Sequence, residues 1–159
     1  MLSDTDMVIA GDGNDRAQLE RQVAELGLRE VVDFIGWVAP DKVLDLINSA
    51  TIVLLPSRWE GLPSVALQAS MMARPVLATS VGGLPEVVVH GETGLLIPVE
   101  DTAALAEAIV FLLEHPQEAI QMGETGRRRV QDVFNWQRCV DAYDDLYQNL
   151  ATKVAHVGV

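Results

Sequence analysis

The chain of 159 residues carries 11 Lys+Arg against 23 Asp+Glu, a formal net charge of −12, and 49 % of it is hydrophobic. That length and apolar content predict one domain burying roughly 70 % of its unfolded surface, which excludes a disordered chain. The negative excess repels phosphate backbones and anionic lipid, which argues against unspecific nucleic-acid binding and a polybasic membrane contact. Cys139, the single cysteine, can form neither an internal disulfide nor a cysteine-rich metal site. His90, His115 and His156 are too scattered for a local ligand motif, so no metal is expected. Residues 1–6 lack the features of a signal peptide, and no apolar run approaches the ~20 residues of a membrane span. The expectation is a cytoplasmic chain without a transmembrane segment.

In chain order, short apolar runs rich in β-branched residues alternate with helix-length segments. Strands are predicted over 7–10, 31–35, 51–56, 75–79 and 94–98, and helices over 16–26, 40–48, 63–73, 84–89 and 102–114. This rhythm predicts an α/β fold, a Rossmann-like parallel sheet with helices on both faces, because strands covered on both sides have no wet side to alternate with. Pro63 and Pro85 stand where a first-turn proline is tolerated, and Asp101-Thr102 offers a cap. Two helices follow, over 117–132 and 136–150. In the second, Trp136, Val140, Tyr143, Tyr147 and Leu150 recur at helical spacing while Asp141, Asp144 and Asp145 lie off that stripe, so one face should pack. The domain is expected to end near residue 150, with a frayed tail over 151–159. Arg127-Arg128-Arg129 reads as a solvated helix face.

Ligands of open α/β sheets bind beyond the carboxyl ends of strands, where helix N-termini present free N–H groups. Four such turns are legible. Gly11-Asp12-Gly13-Asn14-Asp15-Arg16 is a truncated dinucleotide fingerprint with Arg16 at the third glycine and Asp33 inside a strand, a poor match. Gly36-Trp37-Val38 sets an aromatic at a strand mouth, where it could bound a nucleobase or cap a core edge. The run from Pro56 to Ser64 contains Arg58 and places Glu60 before a helix N-terminus, as a cap or as a ligand contact. The following helix is apolar nearly all round, so it should be buried, and Gln68 within it should need a hydrogen-bond partner. Gly82-Gly83 permits positive φ and close approach of backbone N–H groups to a phosphate, or simply makes a tight turn.

Together the runs Pro56-Ser57-x-x-Glu60-Gly61-Leu62-Pro63-Ser64-Val65-x-Leu67-Gln68-Ala69, Arg74-Pro75-Val76-x-Ala78-Thr79, Gly82-Gly83-x-x-Glu86-Val87-Val88 and Gly91-x-Thr93-Gly94-Leu95-Leu96 resemble the group 1 glycosyltransferases. These are retaining enzymes of family 4 with a GT-B fold, and the resemblance, over about 7–150, is to their C-terminal, nucleotide-sugar-binding domain. It implies that Glu60 matches the first glutamate of the E-x7-E motif and contacts donor-sugar hydroxyls as the catalytic residue. The backbone of Gly61, Leu62, Pro63 and Ser64 would meet the sugar and distal phosphate, with Arg58 beside it. Gly82 and Gly83 would line the phosphate side, and Gly36, Trp37 and Val38 the base. Gln68 replaces the second glutamate, which grips ribose hydroxyls, with an amide that lacks the carboxylate's charge. Pro63 deletes one N–H donor facing the ligand.

The implied substrate is a UDP-, GDP- or ADP-sugar, with no cofactor. In the family an Arg and a Lys that neutralise the pyrophosphate, and a whole acceptor-binding domain, precede the segment that matches Met7. On this reading the chain needs that N-terminal domain or a partner chain, is inactive alone, and is open to self-association through an uncovered sheet edge. A second reading, a non-catalytic interaction module with a decayed site, rests on Gln68 and on the lack of that Arg and Lys.

Overall fold

Each apolar run becomes a parallel strand in a computed structural model that describes residues 6–157. Residues 1–5, and 158–159 of the expected tail, lie outside the described residues. The chain forms two compact units that divide at Leu46 and Ile47.

In the first unit β1 (Met7–Ala10) pairs with β2 (Val32–Gly36), with α1 (Arg16–Glu25) between them, and the division falls within the helix that follows, α2 (Pro40–Ser49). The register runs from Met7 opposite Val32 to Ala10 opposite Gly36, with an irregularity after Ile9. Arg16, which spoils the dinucleotide fingerprint, ties this unit together. Its guanidinium donates to the Phe34 carbonyl at 2.9 Å and to Glu20 at 2.8 Å. The hydrogen bond it donates to Glu20, more than the nearby charges of Glu20 and Asp12, raises its pKa above the ordinary arginine value. A Cβ on Gly36, whose φ is +72°, would lie 2.9 Å from Arg16 Nη1, so a glycine there admits the guanidinium.

The second unit holds β3 (Val53–Leu55), β4 (Val76–Thr79) and β5 (Gly94–Ile97) in a parallel sheet of that order. Around it run α3 (Ser64–Met71), α4 (Leu84–Val87), α5 (Thr102–Glu114), α6 (Pro116–Val133) and α7 (Trp136–Val157). The one sheet expected from the sequence is thus two, of two and three strands among the described residues. The alternation of runs specifies parallel pairing but carries no information on which strand takes which neighbour.

All four residues of β4 are buried, as a central strand covered on both faces must be. Leu77 packs with Leu95, Ile97, Ala108, Leu112, Ala119 and Met122 of β5, α5 and α6. Burying a leucine in such a cluster contributes roughly 1.5–3 kcal/mol. Asp101 caps α5 as its sequence suggests, accepting from the Ala104 N–H at 2.9 Å.

Helix α3 differs from its prediction. Pro63 is its N-cap, and it stops at Met71 because Ala73 turns left-handed at φ +54°, with the Arg74 N–H bonded to the Ala69 carbonyl at 2.9 Å. Ala66, Ala69 and Ser70 are buried, whereas Met71 is 42 % exposed. Its small-residue side is packed, because α6 brings glycines there: a Cβ on Gly123 would meet the Ala73 carbonyl oxygen and one on Gly126 the Ser70 hydroxyl.

The expected solvated arginine face holds for Arg127 and Arg128, but Arg129 is half-buried and donates to the Glu86 carbonyl at 2.8 Å, closing the C-terminal end of α4. Helix α7 continues past Leu150 to Val157, since no residue over 151–157 breaks a helix. Its aromatic stripe does not pack as expected: Trp136 is 80 % and Tyr147 67 % exposed.

Candidate functional site

The strand β3 ends at Leu55, and the chain then turns through 56–63 before entering α3. Glu60 sits half-buried on this turn, and the Ser57 hydroxyl donates to its Oε2 at 3.4 Å. Beside it Trp59 is 92 % exposed. The first intrahelical bond of α3 runs from the Leu67 N–H to the Pro63 carbonyl, so the N–H groups of Ser64, Val65 and Ala66 precede it, and no side chain caps them. A carboxylate, three orphan donors and the positive end of a helix dipole therefore share the carboxyl end of a buried sheet. Such an arrangement suits an anion carrying hydroxyl groups. Pro63 is buried and contributes no donor.

Gly82 and Gly83 lie against this turn. A Cβ on Gly82, at φ +50°, would come within 1.6 Å of the Glu60 carbonyl oxygen, and one on Gly83 within 2.3 Å of the Gly61 carbonyl oxygen. The Gly83 N–H donates to that Gly61 carbonyl at 2.9 Å. Glycine is required here for backbone to touch backbone, and the Gly83 donor is spent inside the protein. The helix behind, α4, has only four residues and offers no long dipole.

Arg58 turns away to Glu100, Nε to Oε1 3.0 Å, with both side chains mostly exposed. An exposed pair of this kind contributes at most about 1 kcal/mol, so the guanidinium can leave it for a phosphate. Gln68 is half-buried and its amide makes no hydrogen bond among the described residues, because the side of α3 that bears it is not the packed one. Gly36, Trp37 and Val38 belong to the first unit: Gly36 is buried, Trp37 74 % exposed and Val38 half-buried. Glu60 to Ser64, Gln68, Arg58, Gly82 and Gly83 all belong to the second.

Sequence reasoning missed Glu100 as the partner of Arg58, and Thr79. The Thr79 hydroxyl, in a residue 2 % exposed, donates to the Ser57 carbonyl. A hydroxyl at the end of a buried apolar strand must find an acceptor, and that signal was present in the sequence.

Among the described residues no cluster of three or more His, Cys, Asp or Glu could hold a metal ion, and no helix is long and apolar enough to cross a membrane. His90 serves β5, its Nδ1 accepting from the Leu96 N–H at 3.0 Å.

Comparison with known proteins agrees with the resemblance noted above. N-acetyl-alpha-D-glucosaminyl L-malate synthase of Bacillus anthracis is 32 % identical over 92 % of this chain and 38 % of its own length. Sucrose-phosphate synthase from Thermosynechococcus elongatus superposes with a TM-score of 0.80 at 35 % identity, covering 92 % of this chain and 38 % of that one. The Anabaena protein HepE, solved in complex with UDP-glucose, gives a TM-score of 0.80 at 24 % identity over 94 % of this chain and 42 % of that one, a likeness of fold. Both synthases and HepE are more than twice as long as the matched region, so the chain spans less than half the length of these relatives. The α/β architecture is that of the C-terminal half of a GT-B glycosyltransferase. Since the family pattern described as glycosyl transferases group 1 matches residues 1–129, the chain belongs to the group 1 glycosyltransferases.

Proposed function

We propose that these residues form the donor half of a retaining glycosyltransferase, which holds a nucleotide-diphospho-sugar for transfer to an acceptor bound elsewhere in the protein. The observation that carries this reading is the turn at Glu60, where a carboxylate able to take sugar hydroxyls adjoins the uncapped N-terminus of α3, suited to the distal phosphate. The UDP-glucose complex of HepE supports the class of donor. Arg58 adds positive charge once it leaves Glu100, and Gln68 offers an unpaired amide to ribose hydroxyls. No cofactor is needed for this chemistry.

Transfer requires groups that stabilise the leaving diphosphate and present the acceptor. We assign these to parts of the protein beyond the 159 residues, in keeping with the greater length of the relatives, so the chain alone should bind donor without turning it over.

Titration calorimetry of the chain with UDP-, GDP- and ADP-sugars tests the reading. One nucleotide sugar should bind, and Glu60→Ala should weaken it about 10- to 100-fold, the range for losing hydrogen bonds to a charged group. Equal heats for the two proteins would remove Glu60 from the site, and no binding of any sugar nucleotide would favour a non-catalytic module.

A further inference from the structure

The turn that carries Glu60 is fastened to the strand beside it by a side chain that touches no ligand. The ladder between β3 and β4 ends with Leu55 opposite Ala78, and no backbone N–H of the described residues donates to the Ser57 carbonyl. Thr79, the last residue of β4, fills that gap. Its Oγ1 donates to the Ser57 carbonyl at 2.5 Å, with the Leu55 carbonyl farther off at 3.4 Å. The pairing of the two strands is thereby extended two residues past the ladder, to the residue whose own hydroxyl donates to Glu60 Oε2 at 3.4 Å. On the far shoulder of the turn the Gly83 N–H holds the Gly61 carbonyl at 2.9 Å. Glu60 lies between these two fixed points.

We propose that Thr79 is a positioning residue: through the Ser57 carbonyl it orients the Ser57 hydroxyl and hence the Glu60 carboxylate. The inference rests on Glu60 meeting the donor sugar, as proposed above. Thr79 is 2 % exposed, so its hydroxyl can act only through the protein. Because Thr and Val have nearly the same shape, Thr79→Val removes the donor while keeping the packing, and Thr79→Ser restores the donor while losing a methyl group.

Two measurements separate the proposal from the reading beneath it. The first is hydrogen exchange, which needs no ligand. In Thr79→Val the segment 58–64 should exchange about tenfold faster, as expected for a lost buried hydrogen bond, while β5 keeps its protection and Thr79→Ser stays near wild type. Unchanged exchange over 58–64, equal loosening of β5, or a serine variant no better than valine overturns the proposal. The second is calorimetry with UDP-glucose and UDP. Thr79→Val should bind UDP-glucose about fivefold more weakly, the loss of one hydrogen bond's orientation, and UDP within about twofold of wild type. Equal weakening of both ligands would make the role merely structural. Ser57→Ala, which removes the hydroxyl and keeps the Ser57 carbonyl that Thr79 holds, should weaken UDP-glucose while leaving exchange over 58–64 unchanged, and undiminished binding there breaks the relay. Should wild type bind neither ligand, the donor reading falls and exchange alone shows whether the strut exists.

Discussion

The strands β1 and β4 read almost alike in sequence, MVIA and VLAT, and both lie parallel to their neighbours, yet β4 is buried at every residue and β1 at none. The difference lies in what covers them. β4 sits between two strands, and both α3 and the cluster with Leu112 and Met122 pack against it. Among the described residues β1 has a single neighbour, and its unit is tied by polar contacts of Arg16. An apolar run therefore announces a strand without announcing how much of it leaves water, and the two sheets should respond to substitution to very different degrees.

The largest effect should come at Gly94→Ala in β5, where a Cβ would lie 2.2 Å from the Val76 carbonyl oxygen. Backbone cannot retreat as a side chain tip can, so the second unit should lose more than ~4 kcal/mol and fail to yield a cooperative melt. A variant that melts normally would show that the sheet is not closely packed there.

Next come paired truncations. Leu77→Ala, at a residue 1 % exposed, should cost about 3–5 kcal/mol by denaturant titration, and Val8→Ala, at one 47 % exposed, under ~1 kcal/mol. Similar values for both would erase the distinction between the sheets. The smallest effect belongs to Arg16→Gln. Exchange over 32–36 should quicken while protection of β4 stays as in wild type, and slower or unchanged exchange over 32–36 would mean that the guanidinium does not hold the first unit. Because Glu20 raises the Arg16 pKa, the guanidinium's side of that tie is fully kept as pH rises to the ordinary arginine value and is lost in stronger base.

Much of this was legible in the residues. Among the described residues the five strands and seven helices follow the predicted order, with shifted ends at α3, α4 and α7, and the Asp101 cap follows from a local rule. The turns at Glu60 and at Gly82-Gly83 were legible too, because glycine and proline punctuate a chain within a few residues. What escaped was set through space. Nothing near Arg58 in sequence points to Glu100, and nothing in Gly82-Gly83 says that Gly83 spends its N–H on Gly61. The same holds for Gln68, since an apolar helix declares that it is buried somewhere and not which side meets its neighbour.

Helix α3 is stopped at both ends. At its far end the Ala73 carbonyl abuts α6 at Gly123, and before its first turn the Gly61 carbonyl is held by Gly83. Eight residues at about 1.5 Å each make it a spacer about 12 Å long. A spacer fixed at both ends transmits displacement along its axis. A bulkier residue at position 123 would push from behind on the orphan donors at the front, so the position of those donors is gauged in part by a glycine on a different helix.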